Sequence, residues 1–282
     1  MKRIATVQDI SCFGKCSLTV ALPIVSAMGV ECAVVPTAVL STHTGGFSGY
    51  TFRDLSEDIP KISEHWKSID LKFDALYTGY LGSAEQIDMM KDLFATFGRS
   101  DTLKFVDPAM ADNGKLYAGF GDEFPKKMRE LCSVADIIVP NMTEATLMLG
   151  EDFCSDYSMD YVKQLLKRLC SMGCRQAVLT GVITERDGKK MHGAVAYNAE
   201  SGEYCEYFAE HIPFSFHGTG DVFSSALCGS MVLGKSMEKS LEIAVEYTVD
   251  CIKHTFPDYE NHPYGVKFEE CIPYLCKLIG EN

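Results

Sequence analysis

Phe216-His217-Gly218-Thr219-Gly220-Asp221 holds the densest grouping of residues able to do chemistry in this chain. From Asp221 onward Val222, Phe223, Ala226, Leu227 and Met231 fall on one helical stripe, which puts Gly218-Thr219-Gly220 at a helix N-terminus. Such a terminus offers backbone N–H groups without intrahelical acceptors and a partial positive charge. Glycines with no side chain let an anion such as a phosphate reach them. Asp221 adds a carboxylate within one residue of that site. A carboxylate does not help to hold phosphate, but it is suited to taking the proton of an attacking hydroxyl. The combination reads as phosphoryl transfer to an alcohol, with Gly218, Thr219, Gly220 and Asp221 as its catalytic set. Taken alone, the tetrapeptide is equally a loop ending in a helix cap.

Further candidates stand at the ends of apolar extended segments, where open α/β sheets bind ligands. Residues 3–7 read as a strand followed by Asp9, Ser11 and a helix over 15–28, so Asp9 and Ser11 fall where a small molecule is recognised. Asp9 also fits a simple turn cap. A second strand over 32–39 leads into residues 41–50, where His43 and Thr44 lie among glycines and the aromatic Phe47 and Tyr50, a composition suited to lining a pocket. Residues 54–69 turn helical and charged. The strand over 73–78 runs into Tyr80, placed to flank a flat ring or to fill core. Another, over 104–107, ends in Asp107 before Pro108. The segment 135–141 ends at Asn141, which opens a helix with Glu144 three residues on. That spacing is a common cap. Together with Asp107 it also makes an oxygen-rich corner suited to magnesium through water. A strand over 176–180 brings Thr180 to the same edge.

These candidates need one framework. Strands and helices alternate at intervals of roughly thirty residues, which predicts a three-layer α/β/α fold with a mostly parallel sheet and helices on both faces. A late antiparallel hairpin, 191–197 with 204–212, precedes helices over 224–233, 237–254 and 267–279. No linker interrupts the order, so residues 1–282 read as a single domain.

The totals agree with a soluble enzyme. Of 282 residues, 46% are hydrophobic and 23% charged, enough for a sizeable core and unlike a disordered chain. A formal net charge of −13 opposes contact with nucleic acid or an anionic membrane face. Residues 18–30 are too short and mixed for a membrane span, and the first residues lack a signal peptide's apolar region. Twelve cysteines are spread through the chain without a Cys-x-x-Cys pair, which reads as reduced thiols in a cytoplasmic protein.

The motifs taken together resemble the pyridoxal kinases of the ribokinase-like superfamily. Gly218-Thr219-Gly220-Asp221 is similar to the superfamily's anion-hole and base signature, and residues 78–86, Thr-Gly-Tyr-Leu-Gly-Ser-Ala-Glu-Gln, to a more specific pyridoxal-kinase segment. Thr42-His43-Thr44, Asp107-Pro108 and Pro140-Asn141-Met142-Thr143-Glu144 follow in the family's order. The resemblance implies a homodimer that uses ATP, Mg2+ and a monovalent cation such as K+ to phosphorylate the 5′-hydroxymethyl of a vitamin B6 vitamer.

Under it, Asp221 is the base. Asp9, Ser11, His43, Thr44 and Tyr80 line the pyridine pocket, while Asp107, Asn141, Glu144 and Thr180 serve ATP, with Asp107 and Glu144 also serving the metal. Two positions depart from the family. Asp9 stands where many members have serine, which would suit an amine or a protonated ring nitrogen. Thr180 stands where several have a phosphate-binding lysine; Lys189 and Lys190 follow on the next loop. A sugar kinase's early lid has no room between Val39 and Asp54. The rivals are a hydroxymethylpyrimidine kinase and a non-catalytic binding protein of the same fold.

Overall fold

The computed structural model describes residues 1–280. A nine-stranded sheet forms its centre, in the order β11-β10-β9-β8-β5-β4-β1-β2-β3. Its strands are β1 (Arg3–Ser11), β2 (Glu31–Leu40), β3 (Phe52–Asp54), β4 (Ala75–Thr78), β5 (Leu103–Val106), β8 (Ile137–Ile138), β9 (Gln176–Arg186), β10 (Lys189–Asn198) and β11 (Tyr204–Glu210). From β9 to β2 all neighbours are parallel; β3 on one side and β10 and β11 on the other are antiparallel. A separate two-stranded ribbon pairs β6 (Ala111–Asp112) with β7 (Lys115–Leu116).

Helices cover both faces, as the alternation predicts. On one face α1 (Leu18–Ala27), α7 (Thr219–Val232), α8 (Met237–Thr255) and α9 (Phe268–Gly280) enclose a core that includes Ile24, Tyr77, Phe105, Ala226 and Tyr247. On the other, α2 (Ile59–Ser68), α3 (Ala84–Phe97), α4 (Phe124–Cys132), α5 (Met142–Leu149) and α6 (Met159–Cys170) pack around Leu76, Ile87, Leu131 and Leu165. The apolar spacing explains the choice of face. In α6, Val162, Leu165, Leu166 and Leu169 form one buried stripe at helical period. The central strands, buried on both faces, are continuous apolar runs such as Ala75–Thr78.

Three elements differ from the sequence pattern, each for a local reason. Residues 52–54 form the edge strand β3 and α2 begins only at Ile59, with Pro60 in its first turn, where a missing N–H costs nothing. β9 does not stop at Thr180 but runs on to Arg186 through Gly181, whose φ of 69° a glycine adopts freely. The β6–β7 ribbon turns on Asn113 and Gly114, both with positive φ, the pair that a tight hairpin favours.

Parallel pairing sends the carboxyl ends of β1, β2, β4, β5 and β8 to one edge, and an isolated bridge between Asn141 and Thr180 extends it. Gly193 in β10 is required for the flanking ladder. A Cβ there would lie 2.0 Å from the Tyr207 carbonyl oxygen and 2.8 Å from the Phe208 Cα. Gly193→Ala is therefore expected to cost about 1–3 kcal/mol of unfolding free energy, measured by urea denaturation.

Candidate active site

Gly218 caps α7 in the left-handed conformation at φ 78°. A Cβ on it would meet the Lys15 carbonyl oxygen at 1.6 Å, so the turn lies flush against the loop that follows β1. The first intrahelical bond is donated by Val222 to the Gly218 carbonyl at 3.0 Å. The N–H groups of Thr219, Gly220 and Asp221 precede it and have no acceptor within the helix. Thr219 ties its hydroxyl to the Phe216 carbonyl at 3.1 Å, and Gly220 is exposed. The terminus is thus open to an anion.

Asp221 stands one residue into that turn. Loss of water pushes its carboxyl up to about 8, aided by the nearby Asp107 and Asp9 charges, against one N–H donated by Ser17. One turn along α7, Ser224 donates its hydroxyl to Asp107 at 2.7 Å. Asp107, just past β5, is buried, and desolvation pushes it up to about 6. Ser224 looks, in sequence, like a polar interruption of the apolar stripe. It holds Asp107 against the first turns of α7.

Asn141 and Glu144 form a full capping box on α5: Glu144 N–H donates to the Asn141 side chain at 2.9 Å, and Asn141 N–H to Glu144 Oε2 at 2.8 Å. Glu144 Oε1 also accepts from Met110 N–H at 3.1 Å. Burial, then Asp107, holds the Glu144 carboxyl well above the usual range despite these donors. The cap and the oxygen-rich corner are one arrangement.

The β6–β7 ribbon is docked on that corner, with Asn141 Nδ2 on the Ala111 carbonyl at 2.8 Å and Gly114 N–H on the Thr143 hydroxyl at 3.0 Å. It returns Asp112 and Tyr117 to the site, where the Tyr117 phenol is raised by burial, then by Glu144, Asp112, Asp107 and Asp221. Neither residue stands out in the sequence, where the Asn113-Gly114 pair is the one local sign of the ribbon's turn. Thr180 lies beside Asn141 and reaches the Pro140 carbonyl through its N–H at 3.0 Å.

The opposite end of the cleft holds the ring-pocket candidates. Asp9, buried at the end of β1, accepts from the Ser11 hydroxyl at 3.0 Å and from the Ser17 hydroxyl. Its carboxyl is raised by burial, which outweighs both donors. Tyr80 faces it, pushed up to about 12 by burial and then by Asp9, and stacks on Phe120 with centroids 5.5 Å apart. His43 is buried and bonds the Tyr264 carbonyl at 3.1 Å through Nε2; desolvation lowers its basicity. His217 lies 5.2 Å from its ring centroid, and Phe47 5.0 Å. Phe13 packs on Tyr264 at 4.8 Å, so three loops close over this end. Thr44 is exposed at the rim, and so is Cys12.

Among the described residues, the groups acting on Asp9, Asp107, Glu144 and Asp221 are hydroxyls, backbone N–H groups and other carboxyls; none is a lysine or arginine. Lys189 and Lys190 sit on exposed β10. The arrangement is an open helix N-terminus beside the buried carboxyl of Asp221, with further acids gathered along the same sheet edge.

Residues 21–263 match the family described as phosphomethylpyrimidine kinase. The chain belongs to the phosphomethylpyrimidine kinase family. Its fold is shared with a Bacteroides thetaiotaomicron VPI-5482 protein crystallised in an orthorhombic form with pyridoxal, at 37% identity and TM-score 0.91 over 97% of this chain and 95% of that one. A Bordetella avium pyridoxine/pyridoxal/pyridoxamine kinase is 26% identical over 263 residues, 89% of this chain and 85% of its own. A Haemophilus influenzae hydroxymethylpyrimidine/phosphomethylpyrimidine kinase is 24% identical over 195 residues, 68% and 70% of the two chains. The chain is thus a kinase of the phosphomethylpyrimidine and pyridoxal kinase family, with a ribokinase-like fold.

The raised carboxyl of Asp221 has a stability consequence. A carboxyl whose pKa is raised on folding favours the folded state at pH below its unfolded value of 3.8, and that contribution is lost as pH rises through about 8. Asp221→Asn removes the penalty, so the variant should match the wild type in melting temperature near pH 4 and exceed it by several degrees above pH 8, read by calorimetry without ligands.

Proposed function

We propose that this kinase transfers the γ-phosphoryl of ATP to the 5′-hydroxymethyl of a vitamin B6 vitamer. The observation that carries the reading is Asp221 in the first turn of α7, at its open N-terminus, with the Asp9 carboxyl close enough to act on both it and Tyr80. A ring held at Asp9 and Tyr80 directs its hydroxymethyl at Asp221, which takes the proton as the oxygen attacks. The N–H groups of Thr219, Gly220 and Asp221 receive the charge that gathers on the transferring phosphoryl group. Asp107, Asn141, Glu144 and Thr180 face the nucleotide.

The acids of the corner fit a magnesium ion, because hard oxygen donors with no cation of the chain among them are what that ion takes. Asp107 and Glu144 would hold it, with Asp112 beside them, and when bound it supplies charge neutralisation for the phosphate oxygens. Asn141 and Met110 keep Glu144 oriented through their N–H groups.

Asp9 favours an aminated vitamer. A buried carboxylate with two hydroxyl donors and no cation of its own gains most from a ligand that brings a positive charge, such as the ammonium of pyridoxamine or a protonated ring nitrogen. A hydroxymethylpyrimidine is the second reading, supported by the family's description and by the Haemophilus influenzae relative.

The experiment is ATP consumption with magnesium on pyridoxal, pyridoxine, pyridoxamine and hydroxymethylpyrimidine. Turnover on B6 vitamers is expected, with kcat/KM for pyridoxamine above pyridoxal by about tenfold or more and that advantage lost in Asp9→Asn. Asp221→Asn should lower kcat by about 10²–10⁴-fold while ATP still binds. In the wild type, kcat/KM should rise with pH to a plateau above about 8, because the base acts when ionised. Turnover confined to hydroxymethylpyrimidine transfers the assignment to the second reading, and normal turnover by Asp221→Asn removes Asp221 as base.

A further inference from the structure

The last two helices, α8 and α9, are joined by residues 256–267, and two hydrogen bonds tie them where that stretch leaves and returns. The buried Tyr247 hydroxyl on α8 donates to the Phe268 carbonyl at 3.0 Å, and Lys267 N–H donates to the Thr255 hydroxyl at 2.8 Å. Along α8, between Tyr247 and Thr255, come Asp250 and His254, four residues apart and therefore on one face. Cys271, a free thiol, stands in the first turn of α9.

These three side chains converge. A carboxylate oxygen of Asp250, a ring nitrogen of His254 and the Cys271 sulfur all lie within 4.8 Å of one another, and His254 Nδ1 is 4.0 Å from Asp250 Oδ1. Among the described residues no other group of three His, Cys, Asp or Glu side chains comes so close. Cys271 is buried, while the side chains of Asp250 and His254 are 29% and 52% exposed, so the cluster has a fixed inner ligand and an open outer side.

The ligand types select the ion. Thiolate, imidazole and carboxylate are the donors zinc takes, whereas magnesium and calcium take oxygen. Around a tetrahedral zinc with bonds of about 2.0–2.3 Å, neighbouring ligand atoms stand about 3.3–3.8 Å apart. The three donors must therefore close by about 1 Å. Rotation of the two partly exposed side chains supplies that movement, with Cys271 and both backbone ties left in place. The fourth position faces solvent and takes a water.

We propose that Asp250, His254 and Cys271 form a zinc site that clamps α8 to α9. The site is independent of the kinase reading above. As the sulfur–zinc bond forms, the Cys271 thiol passes its proton to solvent, and His254 binds as the neutral imidazole. The clamp acts across both ends of residues 256–267. That stretch carries Tyr264, whose carbonyl accepts from Lys15 N–H at 3.0 Å and is bonded by His43 Nε2 at 3.1 Å. Zinc would thus steady a loop that closes one end of the cleft.

The test is titration of the whole, reduced, metal-free protein with Co2+ in excess magnesium, which occupies all-oxygen sites. Cobalt takes the place of zinc in tetrahedral sites and reports a bound thiolate as a near-ultraviolet charge-transfer band. The wild type is expected to show the band with one equivalent of cobalt and to lose it when zinc is added. Cys271→Ser should abolish it. His254→Gln, at a side chain half in water and so harmless to folding, should weaken cobalt binding about tenfold or more. With zinc about tenfold above the wild-type Kd, calorimetry should show a melting temperature several degrees higher in the wild type, and less than half that rise in either variant. No band in the wild type would overturn the proposal. So would a band that survives in Cys271→Ser, which assigns the metal to another of the twelve cysteines. Unchanged cobalt affinity in His254→Gln would leave Asp250 and His254 an ordinary surface ion pair beside a core thiol. None of these readouts is turnover, so they decide the zinc site whichever ring the enzyme phosphorylates.

Discussion

Four carboxyl groups withdrawn from water along one sheet edge impose the constraint on which this site depends. Asp9, Asp107, Glu144 and Asp221 are all raised, in each case first by loss of hydration, with neighbouring acids adding to the shift at Glu144 and Asp221. Like charges in a medium of low polarisability repel strongly, and the chain answers with dipoles rather than cations. Ser224 donates to Asp107, two backbone N–H groups to Glu144, Ser11 to Asp9, and Ser17 to Asp9 and Asp221. Dipoles orient an anion without neutralising it. The edge therefore stays a net sink for positive charge, which is what the proposed binding of a metal with the nucleotide would use.

The fold makes this concentration possible. Parallel strands deliver their carboxyl ends to one side, so Asp9 at the end of β1, Tyr80 after β4, Asp107 after β5 and Asn141 after β8 arrive together from positions far apart in the chain. The amino end of α7 reaches the same place with its positive pole, the one sign of field the acids do not provide. Antiparallel strands on both flanks, β3 and the β10–β11 pair, carry none of the four acids. They extend the sheet without altering the edge that matters.

What the sequence showed, and what it hid, follows from the range of the interactions. Strand ends and helix starts are local patterns, so the α/β alternation, the Asn141–Glu144 cap and the glycine-flanked turn before α7 could be read directly. Relations that depend on packing could not. Ser224 joins Asp107 across 117 residues of chain, and in sequence it only interrupts an apolar stripe. Tyr264 meets His43 across 221 residues. Ser17 has the composition of an ordinary helix cap; its positive φ comes from the contacts of the loop around it, not from its own preference. Asp112 lies on a ribbon of two-residue strands and Tyr117 just past it, and such strands are too short for any periodicity to mark. The helix pattern over 54–69 overshot because β3 is short and exposed, leaving no buried alternation to betray it.

The division of the cleft bears on how one family acts on more than one ring. Groups facing the phosphoryl end, on α7, α5 and after β5, are tied to one another by Ser224 and the capping box, so altering any one disturbs the rest. Groups at the ring end come from separate segments: the loop after β1, residues 43–47 after β2, Tyr80 after β4, and Phe120 on the stretch leading to α4. They meet through ring contacts and a few hydrogen bonds, and Thr44 is exposed. A change there alters the lining of that end without moving Asp221 or the helix terminus. On the proposed reading substrate choice can drift while the transfer chemistry stays fixed, and Asp9, a buried charge at the ring end whose field also reaches Asp221, is where such drift has the largest energetic leverage.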